Sequence, residues 1–318
     1  MASFFQWLVK DDWFFVSPLD WMIILIPVGF VLFMGWYSRR YVVQVSDFLS
    51  AGRLCGRYLI SVADIANGLS IIGLVAYVEV HYRTGFALTF WQSLTVPLGI
   101  VLSLTGFVTY RFRETKAMSF GQYIEMRYSR KLRIFASALR STSEVLANMI
   151  MPAVAGRFFI YYFGLPQYFT VFGVEIPTFN ALIILCLTMA IGIICMGGTL
   201  ALVITDSIQG MFCYPIMAIF VGFVLYKFSW SDHIIPVLTD RVAKQSFLDP
   251  YDISELRDFN LFMVGVSLVT TVVNRGAWIG AGNSTSAKSP HEQKMATLLG
   301  TYRGSLNSIF YILIAVAL

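Results

Sequence analysis

The chain has 318 residues, of which 57% are hydrophobic and only 13% charged, and its mean hydropathy is +0.70. That balance excludes an ordinary soluble domain, because so much apolar surface needs lipid as its solvent. The formal net charge of +5 does not point to nucleic acid, since the cations lie between apolar runs rather than along one soluble face.

Apolar runs of roughly 17 to 25 residues can cross a hydrocarbon core, and backbone polar groups inside lipid must be satisfied within the segment. Runs such as WMIILIPVGFVLFMGWY are continuously apolar and lack the alternation of a membrane-spanning barrel strand. The expected fold class is therefore an all-α polytopic membrane protein, with residues 1–318 forming a single transmembrane domain. The opening MASFFQWLVKDDWFF has neither a basic n-region nor a small-residue cleavage site, so no cleaved signal peptide is expected. Complete spans are expected at about 20–37, 58–80, 88–110, 134–162, 179–196, 201–226 and 259–283. A partial eighth starts near 304 and reaches Leu318 within the apolar run YILIAVAL, which reads as an incomplete protein or, alternatively, as a short final span.

Charge in the loops sets orientation. Arg39, Arg40, Arg53 and Arg57 follow the first span; seven cations from Arg111 to Arg133 follow the third; Lys288, Lys294 and Arg303 follow the seventh. The second loop offers Arg83 alone, and YFGLPQYFTVFGVEIPTF after the fourth span offers no Lys or Arg. The expected arrangement is a multi-pass protein of the cell membrane with its N-terminus outside and odd-numbered spans running inward.

Cys55, Cys186, Cys195 and Cys213 have no metal-ligand or disulfide spacing and read as small apolar residues. His81, His233 and His291 lie in or beside loops without metal spacing, and no nucleophile elbow occurs, so an enzyme is not expected and no cofactor is implied.

Charged residues inside spans cost about 2.5–3.5 kcal/mol each and ask for a partner, a cavity or a function. Asp64 lies in SVADIANGLSIIG, where Asn67, Gly68 and Ser70 also interrupt the apolar helix. A local break there would free carbonyls beside a carboxylate, an oxygen-rich site suited to a hard monovalent cation. A hydrogen bond from Asp64 to a neighbouring helix is the plainer alternative. Asp206, in GGTLALVITDSIQG, reads either as part of a polar turn entering the sixth span or as a helix N-terminal carboxylate. Glu144 and Arg275 are the other intramembrane charges, and they pair with one another or with backbone. Gly276, Gly280 and Gly282 make the seventh span a second candidate for a discontinuous helix. Two interrupted helices, one early and one five spans later, fit an inverted-repeat transporter with its site at the membrane midplane.

Three stretches resemble the sodium:solute symporter family: DFLSAGRLCGRYLISVADIANG, SFGQYIEMRYSRKLRIFASALR and MGGTLALVITDSIQG, in order over roughly residues 46–303. The resemblance implies a LeuT-like fold of five plus five helices in inverted repeats, with 46–226 including the first repeat and 259–318 the start of the second, truncated there. It implies transport driven by sodium as the coupling ion. Carried over, the sodium ligands are the carbonyls of Val62 and Ile65 at an unwound helix, with Asp64 and Asp206 contributing. Asn67, Gly68, Thr270, Asn274 and Arg275 are the implied solute contacts, on a weaker match, because NRGAWIGAGNSTSAKSPHEQKMA keeps only the basic, Ala-Lys-Ser-like ending. The resemblance also implies a later helix, expected beyond Leu318, whose hydroxyls would complete the sodium site.

The expected function is sodium-coupled symport of a small polar solute, with sodium, the solute and the lipid bilayer as partners and no nucleic acid. A membrane-sensor module of a histidine-kinase fusion is the alternative. Arg275 favours an anionic solute if its guanidinium grips a carboxylate, and a structural pair with Glu144 if it does not.

Overall fold

The computed structural model describes residues 18–171, 174–240, 244–253, 260–277 and 282–317. The first expected span is α1 (Pro18–Ser38), and a short helix α2 (Val45–Ser50) follows. In α2 the Asp47 carboxylate reaches back to the Gln44 N–H at 2.9 Å, satisfying an amide that the first turn leaves over. Then come α3 (Arg57–Gly68), α4 (Ile71–Ser93), α5 (Thr95–Thr105), α6 (Thr109–Glu114), α7 (Phe120–Arg127) and α8 (Arg130–Phe163). After the hairpin described below come α9 (Thr178–Lys227), α10 (Ile235–Thr239), α11 (Leu261–Ala277) and α12 (Pro290–Ala317).

The protein is mostly helical, as expected, but not wholly so. The loop expected after the fourth span holds an antiparallel hairpin, β1 (Tyr168–Val171) with β2 (Val174–Pro177), Tyr168 standing opposite Pro177. Most of its residues are β-branched or aromatic, which suits a strand pair.

Span boundaries are set by local chemistry more than by hydropathy. The expected 58–80 span is two helices, α3 and the first half of α4. The chain leaves helical geometry at Leu69, and Ser70 then caps α4 by accepting the Gly73 N–H at 2.9 Å. At Gly85 the backbone turns with φ +57°, and a Cβ there would lie 2.6 Å from Cβ of Phe247. Gly198 makes the same kind of turn inside α9, separating the fifth and sixth expected spans, with φ +54° and a Cβ position only 2.3 Å from the Phe48 carbonyl oxygen. Both conformations are open to glycine and costly for other residues. The last helix begins at Pro290, not near 304, so Arg303 lies mid-helix and is not a loop cation.

The loops sort onto two ends of the bundle. At one end the Thr199 hydroxyl donates to Leu49 O at 3.0 Å, the Cys55 N–H to Ser286 O at 3.1 Å, and Arg113 Nε to Ala287 O at 2.8 Å. These bonds gather the loops after the first, third, fifth and seventh expected spans. At the other end Trp91 Nε1 donates to Pro250 O at 2.7 Å, and Trp21 stacks on Phe163 at 5.4 Å.

At and beneath the first of these ends the core is built mainly of small residues. Ala51, Cys55, Ile60, Ala63, Val203, Ala287 and Ala296 form one buried cluster. Small side chains let helix backbones approach closely, which is how helices associate when lipid removes any hydrophobic incentive. Large apolar side chains such as Ile23, Met211 and Phe262 point outward instead.

Candidate functional site

The break between α3 and α4 sets two helix ends against each other. The C-terminal carbonyls of α3 carry partial negative charge, as any helix end does. A carboxylate in that last turn is disfavoured by the same field, yet Asp64 sits there, four residues before Gly68. Such a placement becomes favourable when a cation occupies the region.

Asp64 is exposed, so an ion can reach it, and its Oδ1 accepts a hydrogen bond from Nδ2 of Asn283 at 2.9 Å. Asn283 is buried, in the 3₁₀ turn Gly282–Thr285 that precedes α12. The bond therefore ties α3, a little over a turn ahead of its break, to the 3₁₀ turn before α12. Its donor is a neutral amide, which orients the carboxylate without cancelling its charge. Among the described residues, no lysine or arginine nitrogen comes within 4.0 Å of Asp64.

The turn that carries Asn283 is held firmly. Ser286 Oγ donates to Asn283 O at 2.7 Å, and the Lys288 N–H donates to Cys55 O at 2.9 Å. Glu292 receives the Arg57 backbone N–H at 2.8 Å and the Arg57 guanidinium in a bidentate pair. The hydrogen-bonding Arg57 guanidinium holds the Glu292 carboxyl down at about 2.

On the far side of α3 stands the second half of α9. Ser207 Oγ donates to Val203 O at 2.6 Å and to Leu59 O at 3.2 Å. Gly210 lets the helices touch: a Cβ there would lie 2.6 Å from Val62 Cγ1 and 3.1 Å from Val62 O. Asp206, half-buried, flanks this face, four residues before Gly210. It lies about two turns beyond the Gly198 kink, so it is not a helix N-terminal carboxylate. Val62 and Ile65 belong to the regular part of α3, ahead of the break, not to an unwound stretch.

The implied solute contacts divide. Gly68 ends α3 beside open space, and Asn67 precedes it in the last turn. Thr270 and Asn274 are exposed on α11. Arg275 is half-buried and directs Nη2 to Gly99 O at 3.4 Å and Ser103 Oγ at 3.3 Å, tying α11 to α5. Glu144 instead faces Arg140 on its own helix at 3.9 Å, so the expected Glu144–Arg275 pair does not form. Gly276 lies within α11 and Gly282 opens the 3₁₀ turn, while Gly280 lies outside the described residues.

Sequence reasoning missed Asn283 and Arg303. Arg303 Nη1 donates to the buried Ser61 Oγ at 2.7 Å, one turn before Asp64. It borders a cavity of about 440 Å³ that also reaches Val62, Tyr214, Tyr302 and Ser305. The buried Tyr214 hydroxyl at this cavity has no hydrogen-bond partner among the described residues. Extending the last span back through TLLGTYRGSLN, where small and apolar residues continue on both sides of Arg303, would have revealed it.

Among the described residues no three His, Cys, Asp or Glu side chains converge as a transition-metal site would require. A carboxylate beside helix-end carbonyls suits a hard, weakly charged cation.

Long apolar helices, broken where a carboxylate meets a polar turn, define a multi-pass membrane protein of the transporter class. The chain belongs to the sodium:solute symporter family, whose sequence profile matches residues 48–312. Members of that family are transporters rather than enzymes. Among solved structures the chain is similar to a substrate-bound, outward-open Na+-coupled sialic acid symporter, at 18% identity and a TM-score of 0.75. The likeness covers 95% of this chain and 60% of that one, so the chain spans about 60% of the length of that solved relative. No curated protein matches the chain.

Proposed function

We propose that the protein is a sodium-coupled symporter of a small polar solute, working in the cell membrane with its N-terminus outside. The observation that carries this reading is the Asp64–Asn283 hydrogen bond, which joins α3, just ahead of its break, to the turn before α12. Residues 46–226 then include the first of two inverted five-helix repeats, and 259–318 begin the second. The family assignment supports the coupling ion, and the gathering of the arginine-rich loops at one end supports the orientation.

In this reading a sodium ion beside Asp64 relieves the repulsion between its carboxylate and the α3 carbonyls. The ion fixes α3 against the α12 turn, while α9, with Asp206, backs α3 at Val62. Solute then binds over the open space at Asn67 and Gly68, towards Thr270, Asn274 and Arg275. Because ion and solute stabilise the same arrangement, each raises the affinity for the other by the same factor. No covalent chemistry is involved.

The test is uptake of labelled solutes into vesicles holding the protein, with and without an inward sodium gradient. The panel includes amino acids, sugars and organic acids, sialic acid among them. Saturable uptake that follows the sodium gradient supports the reading; uptake of no solute, by protein that is correctly inserted, opposes it.

A further inference from the structure

A large cavity lies away from the cation site, at the end of the bundle where the arginine-rich loops gather. It measures about 760 Å³ and lies between the α5–α6 turn, α7 and the first turns of α12. Arg111, Arg127, Lys294 and His291 line it, with Tyr110 and Tyr123 beside them. Glu114 is the one carboxylate in the lining, and Arg111 already engages it at 3.4 Å. A second cavity of about 510 Å³ shares Arg111, Glu114, Tyr123 and Arg127, so the basic surface continues as a groove.

The geometry is built into the turn. Gly106 has φ +65°, and the Lys294 stem packs against it, with Cδ 3.5 Å from where a Cβ would stand. Val108, a β-branched residue, also holds φ +65°, a conformation such residues rarely adopt. Together they swing α6 away from the line of α5 and open the pocket. Arg127 is steadied by Tyr123, whose hydroxyl accepts from Nη1 at 2.9 Å.

What lies next to the pocket decides its occupant. Helix α5 runs directly into it and carries Val96, Ile100, Val101 and Leu104 on its exposed surface, with Phe107 at the rim. A cation-rich pocket at the end of a lipid-facing apolar stripe is where a phospholipid places its headgroup while its chains lie along the helix. Guanidinium groups also match phosphate oxygens in pairs.

We propose that this pocket binds the phosphate headgroup of an anionic phospholipid. The inference is independent of the symport reading, because it uses none of the residues of the cation site.

The experiment is native mass spectrometry of the purified protein after exchange into phosphatidylglycerol or phosphatidylcholine, paired with thermal melts in the same lipids. Phosphatidylglycerol should stay bound and raise the melting temperature, whereas phosphatidylcholine should do neither. Arg111→Ala/Arg127→Ala/Lys294→Ala should weaken retention by roughly a hundredfold, at about 1 kcal/mol per cation. A control with the same charge loss outside the pocket, Arg39→Ala/Arg130→Ala/Lys131→Ala, should leave retention within a fewfold of wild type. Equal retention of both lipids, or equal loss in the two triple variants, overturns the proposal. Displacement of the lipid by inorganic phosphate at equal concentration also overturns it, and marks a site for a free anion. If the first variant does not fold, the wild-type melts in the two lipids still decide.

Discussion

Replacing Gly198 by alanine tests the turn that divides α9, and the structure supplies its own control on the same helix. Gly198 combines φ +54° with ψ −142°, and its Cβ position lies 2.3 Å from Phe48 O and 2.7 Å from Phe48 Cδ2. The backbone conformation alone costs a non-glycine residue about 1–3 kcal/mol. The overlap with Phe48 O is with backbone rather than with the tip of a flexible side chain, so relief requires α2 to move. Overpacking of that kind adds about 1–3 kcal/mol more. The sum is about 2–6 kcal/mol, a large fraction of ordinary domain stability. Gly222 is helical and has nothing within 4 Å of its Cβ position, so alanine there should be neutral or stabilising by up to about 1 kcal/mol. Thermal melts of the detergent-solubilised protein should show a drop of several degrees or more for Gly198→Ala and none for Gly222→Ala. Equal melting temperatures for the two variants would refute the account of the turn.

The Arg57–Glu292 pair has a pH signature. Its folded carboxyl lies at about 2 against an ordinary 4.5, a depressed value, so the stabilisation is fully present above about 4.5 and fades as pH falls towards 2. Melting temperatures of wild type and Glu292→Gln should differ by a constant amount above pH 5 and converge as the pH falls below about 4; a gap that persists to the lowest pH would contradict the pairing. Arg303→Leu removes a charge that costs about 2.5–3.5 kcal/mol to hold in lipid, and it leaves Ser61 bonded to Tyr58 O at 3.1 Å. The variant should melt within a few degrees of wild type while uptake falls at least about tenfold, and a large melting loss with normal uptake per folded molecule would make Arg303 purely structural.

What was legible in the sequence was whatever apolar length and breaker residues encode. The runs that became α1, α8 and the two halves of α9 are continuous enough to read directly, and SVADIANGLS announced its break because Asp64, Asn67, Gly68 and Ser70 interrupt the apolar pattern within two turns. The gaps in the apolar pattern bracket Gly85 and Gly198, between the second and third and between the fifth and sixth expected spans, but they do not reveal that Phe247 and Phe48, over 100 residues away along the chain, stand against them. Arg303 was assigned to a loop because one cation ends an apolar window, although the helix continues on both sides of it. Asn283 carried no signal of its own, since an amide in a polar turn is ordinary until the fold places Asp64 opposite it. The hairpin β1–β2 was lost because two four-residue strands leave little periodicity to read.

The central claim is that Asp64, oriented by Asn283 at the broken helix, forms part of a sodium site. Equilibrium binding of radioactive sodium to the purified protein tests it most directly, with Asp64→Ala and Asn283→Ala beside wild type. Saturable binding should weaken about tenfold or more in Asp64→Ala, equivalent to at least about 1.4 kcal/mol, and by a smaller factor in Asn283→Ala, which keeps the charge but loses its orientation. Unchanged sodium affinity in a folded Asp64→Ala protein would contradict the account.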